Sequence, residues 1–469
     1  MAAASASCRR AAALFVAALP MVLAGCGSSN GGGGGVLPPP PPPGNVAWGP
    51  VVAIATNPGG VTAPSVLVDN AGLAAVLWSQ TGFVPPGQSA LAAPAVLARE
   101  DAGSGFAATR LVEAPLAGDA ATDQVVTLTS VALASGITSA AWLRVVGGGE
   151  RVGSAGRIGG AWESDVVSLP RAGAQRDDLA FAANAAGQRV AAWSEVVNGV
   201  RQVVAHRSNS SVAGWSALPT VQTATSIPGS QPAVAIDDDG RIMILWREGT
   251  ALAGRLKSRV MPPLGTAFGT ILDVDAAQTD QRAPRVVAYG PNLFVATWEQ
   301  EFNNVYDLRS KAGNASNWDQ SSDLIDARTE AVSSAQLMVG PNSTALVAWQ
   351  QADTLFASRW AAATGNWSQP VQVGTGLSGA ARNLRAASDA IGNAILVWTQ
   401  TGTGGVPDLY YATITGTTPV ASAAALLESE AGAAGAPAVA LNGAGVKAVA
   451  WLQSVAGQVQ PNVVARVAR

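Results

Sequence analysis

The sequence predicts an all-β ring of repeated antiparallel units, and three observations predict it. Tryptophans recur along the chain at Trp78, Trp142, Trp193, Trp246, Trp298, Trp349, Trp398 and Trp451, separated by 64, 51, 53, 52, 51, 49 and 53 residues. Each closes the same phrase of apolar run, Gly/Asn/Asp turn and second apolar run, as in "PSVLVDNAGLAAVLW" (64–78), "PAVAIDDDGRIMILW" (232–246) and "PAVALNGAGVKAVAW" (437–451). A second aromatic precedes the tryptophan by a near-constant interval. From Trp162 to Trp193, Trp215 to Trp246, Trp318 to Trp349 and Trp367 to Trp398 it is 31 residues, and from Phe268 to Trp298 it is 30. A period of about 50 residues holding two hairpins matches one four-stranded propeller blade. The expected fold is therefore an eight-bladed β-propeller of four-stranded antiparallel blades.

Residues 1–25 read as a leader rather than as part of that ring. Arg9 and Arg10 form a charged start, and the apolar stretch 11–25 is too short to span a bilayer comfortably. The stretch ends in Leu23-Ala24-Gly25-Cys26, which resembles the lipobox of bacterial lipoproteins. That resemblance implies cleavage before Cys26 and acylation of Cys26, palmitate included. Several chains anchor firmly where one would be marginal. Gly27, standing where Asp would retain a lipoprotein at the inner membrane, implies the outer membrane and a domain facing the periplasm or the exterior. The Arg9-Arg10 pair is a weak hint of twin-arginine export, because the residues after it do not match that signal.

Residues 26–45 read as a tether. Five glycines (31–35) make its first half flexible and six prolines (38–43) stiffen the second into polyproline II, a spacer reaching roughly 40–60 Å at about 3.1 Å per extended residue. The propeller is expected over 46–469. The chain has two cysteines, Cys8 in the leader and Cys26, so the mature domain has no disulfide to rely on and must be held by packing. Removing Arg9 and Arg10 takes the formal charge from −3 to −5, which leaves no basic footprint for nucleic acid. Charged residues are 13% of the chain, about half the usual share.

Within each repeat, period-2 apolar alternation marks strands and Gly/Asn/Asp clusters mark turns. The third repeat reads as strands 179–184, 189–197, 201–209 and 214–223. The first strands are small and β-branched ("PSVLV", "PAVAI", "PRVVA", "PAVAL"), as a crowded axis requires. The aromatic interval also predicts how the ring shuts. Trp48 lies 30 residues before Trp78, so 47–56 reads as a fourth strand with no first three ahead of it. At the other end, 462–469 reads as a third strand with no fourth. The last blade is expected to be closed by the N-terminal strand, which leaves no bare sheet edge at the seam. An open superhelix of eight repeats has no use for a split blade.

Two positions after each repeat tryptophan stands a polar side chain: Gln80, Arg144, Glu195, Glu248, Gln300, Gln351, Gln400 and Gln453. Strand alternation puts it on the tryptophan's side. It reads either as a polar collar at one mouth, fit to bind a glycan, peptide or partner loop, or as a hydrogen bond to backbone at the blade junction. Symmetry breaks at Arg144, Glu195 and Glu248, and two carboxylates near one axis could serve as acid and base in glycoside chemistry. Asp237-Asp238-Asp239-Gly240 occupies the hairpin position filled elsewhere by Asp69-Asn70-Ala71-Gly72, so it reads as a turn rather than as a calcium loop. His206, the single histidine, has no second histidine or cysteine for a metal site.

The Asp-x-x-Gly…Trp phrase is similar to the Asp-box of sialidase-type propellers, although here it falls between the first and second strands rather than the third and fourth. Such a resemblance implies an arginine trio and a tyrosine–glutamate pair, for which Tyr289, Tyr306, Tyr410 and Tyr411 are the available tyrosines. The blade count is also similar to that of quinoprotein-like propellers, without their adjacent cysteines. The expected function is a monomeric, lipid-anchored binding or scaffold module for a protein or glycan, with no cofactor, metal or catalysis. The competing expectation is a sialidase-like or other carbohydrate-active enzyme working at one mouth.

Overall fold

The structure is a computed structural model. It describes residues 47–469 apart from Asn57, 133–137, Gly148, 170–175, 210–213, 223–225, 251–252, 327–329, 402–404, Thr417 and Ser429. The leader, Cys26 and the tether lie outside the described residues.

Eight antiparallel sheets follow one another along the chain, each a blade whose strands run in sequence order from first to fourth. Blade 1 comprises Ser65–Val68, Ala74–Gln80, Ala95–Asp101 and Arg110–Glu113, and blade 5 comprises Gln281–Gly290, Leu293–Phe302, Val305–Gly313 and Asp323–Asp326. In blades 6 and 7 the outermost strand is interrupted, so two short segments pair with the third strand. Blade 8 takes Ala434–Leu441, Lys447–Gln453 and Asn462–Ala468 from the end of the chain and Val52–Ala55 from its beginning.

That closure follows the sequence expectation, with a shorter strand than 47–56. Val52 pairs with Ala465 and Ala53 with Val464, and Trp48 forms an isolated bridge to Ala468. The seam has further clasps. Arg466 Nε donates to the Gly49 carbonyl at 2.8 Å, and Asn442 Nδ2 donates to the Asp69 carbonyl at 2.7 Å across from blade 8 to blade 1. Arg469 donates to the Gly72 and Asp101 carbonyls of blade 1 at 2.5 and 2.7 Å and pairs with the Asp101 carboxylate at 3.1 Å.

Second strands are the most deeply buried because each is covered on both faces by neighbouring blades. All eight repeat tryptophans sit there at 0–1% exposure. The fourth-strand aromatics work across blade boundaries at the outer rim. Trp215 donates its indole N–H to Ser154 at 2.8 Å, Trp318 to Ser258 at 2.8 Å and Trp367 to Ser310 at 2.6 Å, in each case a third-strand serine of the preceding blade. Phe268 departs from the expectation. Instead of bonding a serine it packs under the Arg259 guanidinium at 5.4 Å, because a ring without an N–H docks by its face.

Asp237-Asp238-Asp239-Gly240 is a turn. Gly240, at φ 87°, returns its N–H to the Asp237 carbonyl at 3.0 Å, a conformation that favours glycine. The Asp237 carboxylate is buried and accepts from the Arg241 N–H and, one blade on, from the Asn292 N–H at 2.8 Å. It therefore ties two hairpins of the ring together.

A first-strand bulge has no counterpart in the expected pattern. In blades 3 to 8 the ladder slips by one residue opposite the repeat tryptophan. Asp177 faces Ser194 and Ala180 faces Ala192, so Asp178 and Leu179 together oppose Trp193. The same slip brackets Trp246, Trp298, Trp349, Trp398 and Trp451. The first residue of each bulge is left-handed: Asp178, Gln231, Ala283, Ser334, Asn383 and Ala436, at φ between 45° and 57°. An inserted residue of this kind bends a strand and re-aims the side chains after it.

Candidate functional site

The residues two after each tryptophan do not line the cavities on the axis; they lie within the blades. Gln80, Gln300, Gln400 and Gln453 accept the indole N–H of their own Trp78, Trp298, Trp398 and Trp451 at 2.7–3.0 Å. Glu195 accepts from Trp193 at 3.1 Å and Glu248 from Trp246 at 3.5 Å. The amide that remains reaches back to the segment entering the first strand. Gln351 donates to Glu330, Gln400 to Gly379 and Gln453 to Gly432, each to a carbonyl at 2.7 Å. Arg144 cannot accept, and blade 2 replaces the missing acceptor from outside. Glu113, on the fourth strand of blade 1, takes the Trp142 indole at 3.1 Å and the Arg144 guanidinium at 2.5 Å. Glu195 is buried and paired with Arg176 at 2.8 Å.

His206 packs against Trp193 with its ring tilted by 42° and the ring centroids 5.0 Å apart. Burial and the nearby Arg176 charge hold its pKa below the ordinary histidine value. Among the described residues no group of three or more His, Cys, Asp or Glu is placed to hold a metal ion.

The axis is lined instead by first strands. Two cavities of 680 and 320 Å³ lie there and share Thr129 and Gln336 in their walls. One register position supplies the wall all the way round: the first-strand residue paired with the residue just before the repeat tryptophan. In blades 1 to 4 and 8 it is Ser65, Thr129, Ala180, Ala233 and Ala438. In blades 5, 6 and 7 it is Arg285, Gln336 and Arg385. All eight line one or both cavities. Symmetry thus breaks on one side of the channel, where two guanidinium groups flank an amide.

Each of those arginines makes one hydrogen bond to its own strand, Arg285 to the Pro284 carbonyl at 2.8 Å and Arg385 to the Leu384 carbonyl at 2.9 Å. Their side chains are accessible to the channel although the protein surrounds them. Burial lowers the pKa of both, and for Arg285 the charge of Arg385 lowers it further while Glu299 opposes the shift. Glu299 is itself buried and bound to Arg282 at 2.8 Å.

At the mouth formed by the starts of the first strands in blades 3 to 5, a cavity of 510 Å³ shares Asp178 and Gln231 with the larger axial cavity. Apart from Asp178, its charges are paired. Asp177 is held by Arg201 and the Ser194 hydroxyl. Asp280 accepts from Arg247 at 2.5 Å and from the Tyr306 hydroxyl at 2.8 Å. The Arg282 guanidinium lies 3.4 Å over the Tyr306 ring. Burial and the bond to Asp280 raise the Tyr306 pKa.

No family model matches the chain, and no curated protein matches it in sequence. Some solved structures are similar to it over part of the chain. A protein of unknown function from Dyadobacter fermentans has a TM-score of 0.41 at 10% identity, covering 62% of this chain and 94% of its own. An α-L-arabinanase from Penicillium chrysogenum has a TM-score of 0.38 at 12% identity, covering 65% and 94%. The Hadza microbial sialidase Hz136 has a TM-score of 0.38 at 11% identity, covering 71% and 76%. Likeness at this level assigns no chemistry.

The position of Arg285, Gln336 and Arg385 was within reach of the sequence. "PRVVA" differs from "PAVAI" and "PAVAL" at its second residue alone in charge, and that residue is Arg285. What hid it was the bulge, which changes the side of the first strand that faces the axis.

Proposed function

We propose that this chain is a lipid-anchored envelope propeller that binds a glycan or protein group in its axial channel, reached through the mouth at blades 3 to 5. One observation carries the reading: the wall of the channel is small and neutral in five blades and becomes Arg-Gln-Arg in the other three. Packing alone gives no reason for two like charges on one side of a confined channel, since like charges disfavour one another. The residues two after the tryptophans, by contrast, are consumed by hydrogen bonds and have little left for a ligand.

A second reading, a carbohydrate-active enzyme, is favoured by Asp178 and Asp280 lining one 510 Å³ cavity with Tyr306. Two carboxylates facing a shared space are what glycoside hydrolysis requires. Against it, Asp280 is occupied by Arg247 and Tyr306, which leaves Asp178 without the second available carboxylate that such chemistry needs. Anchoring through Cys26 belongs to the same proposal and rests on the Leu23-Ala24-Gly25-Cys26 resemblance.

The test is a glycan panel with the full-length chain in detergent, read for both binding and hydrolysis, alongside envelope cross-linking. Binding without turnover supports the module. Turnover that Asp178→Asn abolishes supports the enzyme. Labelled palmitate that is incorporated by the parent but not by Cys26→Ser checks the anchor.

A further inference from the structure

We propose that the Arg285–Gln336–Arg385 side of the channel is a carboxylate-binding site for a small polyhydroxylated acid, the chemical class of the sugar acids. The inference deepens the binding-module reading and rests on it.

Arg285 lines the larger cavity and Arg385, two blades on in the ring, the smaller. Gln336 between them lines both, with its amide N–H groups on the Ser334 and Ala335 carbonyls and its amide oxygen left for a ligand. Neither arginine has a carboxylate within ion-pair distance among the described residues, and each spends one N–H on its own strand. Guanidinium presents five N–H donors in a planar fork, so most of each group's donors remain for a ligand. Charge-assisted bonds of this type to a carboxylate are short and strong, above all where water is excluded.

The remaining wall suits hydroxyl groups. Thr129 lines both cavities and Gln231 the larger, while Ser65 and Ser130 line the smaller with their hydroxyls bonded to each other at 2.7 Å. The Thr129 hydroxyl, the Gln231 amide N–H groups and the remaining serine lone pairs match sugar hydroxyls. The opposing carboxylate in the larger cavity is Asp178, which stands on blade 3 and already accepts from the Gln231 N–H at 3.1 Å. It therefore repels an anion from one side and orients it toward blades 5 to 7. The two charges also have a signature in stability. Two like charges in a confined channel oppose each other, so neutralising them relieves the unliganded protein while removing the ligand's anchor.

The experiment is calorimetric titration of the full-length chain in detergent with D-galacturonate, D-galactose and inorganic phosphate, with melting temperature followed in parallel. Galacturonate is expected to bind and to raise the melting temperature, and galactose and phosphate are expected to do neither. Arg285→Gln and Arg385→Gln each weaken galacturonate binding about ten- to hundredfold, as loss of a charge-assisted bond does. The double variant binds none and, without ligand, melts at or above the parent's temperature. A double variant that melts far below the parent assigns the arginines a structural role and overturns the proposal. So does parent protein that takes up galactose or phosphate as well as galacturonate, or that takes up none of them. If the parent takes no galacturonate yet a panel glycan or cross-linked partner still binds and is lost on blocking the mouth, the carboxylate site fails and the module reading stands. If neither binds, both fail.

Discussion

Gln400 accepts the indole N–H of Trp398 at 2.8 Å and passes its own amide to the Gly379 carbonyl at 2.7 Å, so one side chain joins the second strand of blade 7 to the segment that enters its first. This is the role of the residue two after the tryptophan. Blade 6 lacks half of it: the Trp349 indole nitrogen is buried with no hydrogen-bond partner. Trp398→Phe strands the Gln400 carbonyl, whereas Trp349→Phe removes a donor that bonds to nothing. Trp398→Phe should therefore be the more destabilising by about 1–2 kcal/mol in chemical denaturation. Equal costs would show that the indole bond contributes no net stability.

Blade 2 makes the same point through an ion pair. Glu113→Gln leaves the fully buried Arg144 without its carboxylate and should cost about 3–5 kcal/mol. Adding Arg144→Gln restores the acceptor that other blades carry, so the double variant should recover much of the loss in a double-mutant cycle. A strictly additive cycle contradicts the idea that Glu113 substitutes for a glutamine.

Closure rests on few residues. Ile54, 4% exposed, is the strand residue from the beginning of the chain that enters the core shared by blades 8 and 1. Ile54→Ala should cost about 2–4 kcal/mol, whereas Val420→Ala on an exposed outer strand should change stability by no more than about 0.5 kcal/mol. In hydrogen exchange, 462–468 should lose protection first in the Ile54 variant. Uniform loss over all blades would show that the seam is not where the ring opens.

The bulges impose a left-handed backbone on two alanines, Ala283 at φ 49° and Ala436 at φ 45°. An L-residue with a Cβ pays about 1–2 kcal/mol there and glycine almost nothing. Ala283→Gly should be neutral to stabilising, by up to about 1 kcal/mol, and Ala283→Val clearly destabilising. A destabilising glycine variant would mean that the bulge is not strained.

Acid should act through His206. Burial lowers its folded pKa below the unfolded value of 6.5, so the unfolded chain binds the proton more readily. The neutral ring's contribution is present above that value and is lost as pH falls. Melting temperature should drop between pH 7.5 and 5.5, and His206→Gln should flatten that slope. The same slope in both proteins would assign it to carboxylates.

The sequence by itself determined the eight repeats, the strand order within them and the seam between 47–56 and 462–469. All three depend on local alternation and on spacing along the chain, which apolar residues and turn glycines write directly. It also showed that a polar residue follows each tryptophan on the same side of its strand. It could not show where that side points. Position from the axis is a property of the assembled ring, and there the second strand is enclosed by neighbouring blades while the first strand forms the wall. The bulge opposite the tryptophan in blades 3 to 8 compounds this, since one inserted residue reverses which first-strand side chains face the channel. Tertiary structure alone therefore turned Gln400 inward to Trp398 and brought Arg285, Gln336 and Arg385, far apart in the chain, onto one side of the axis.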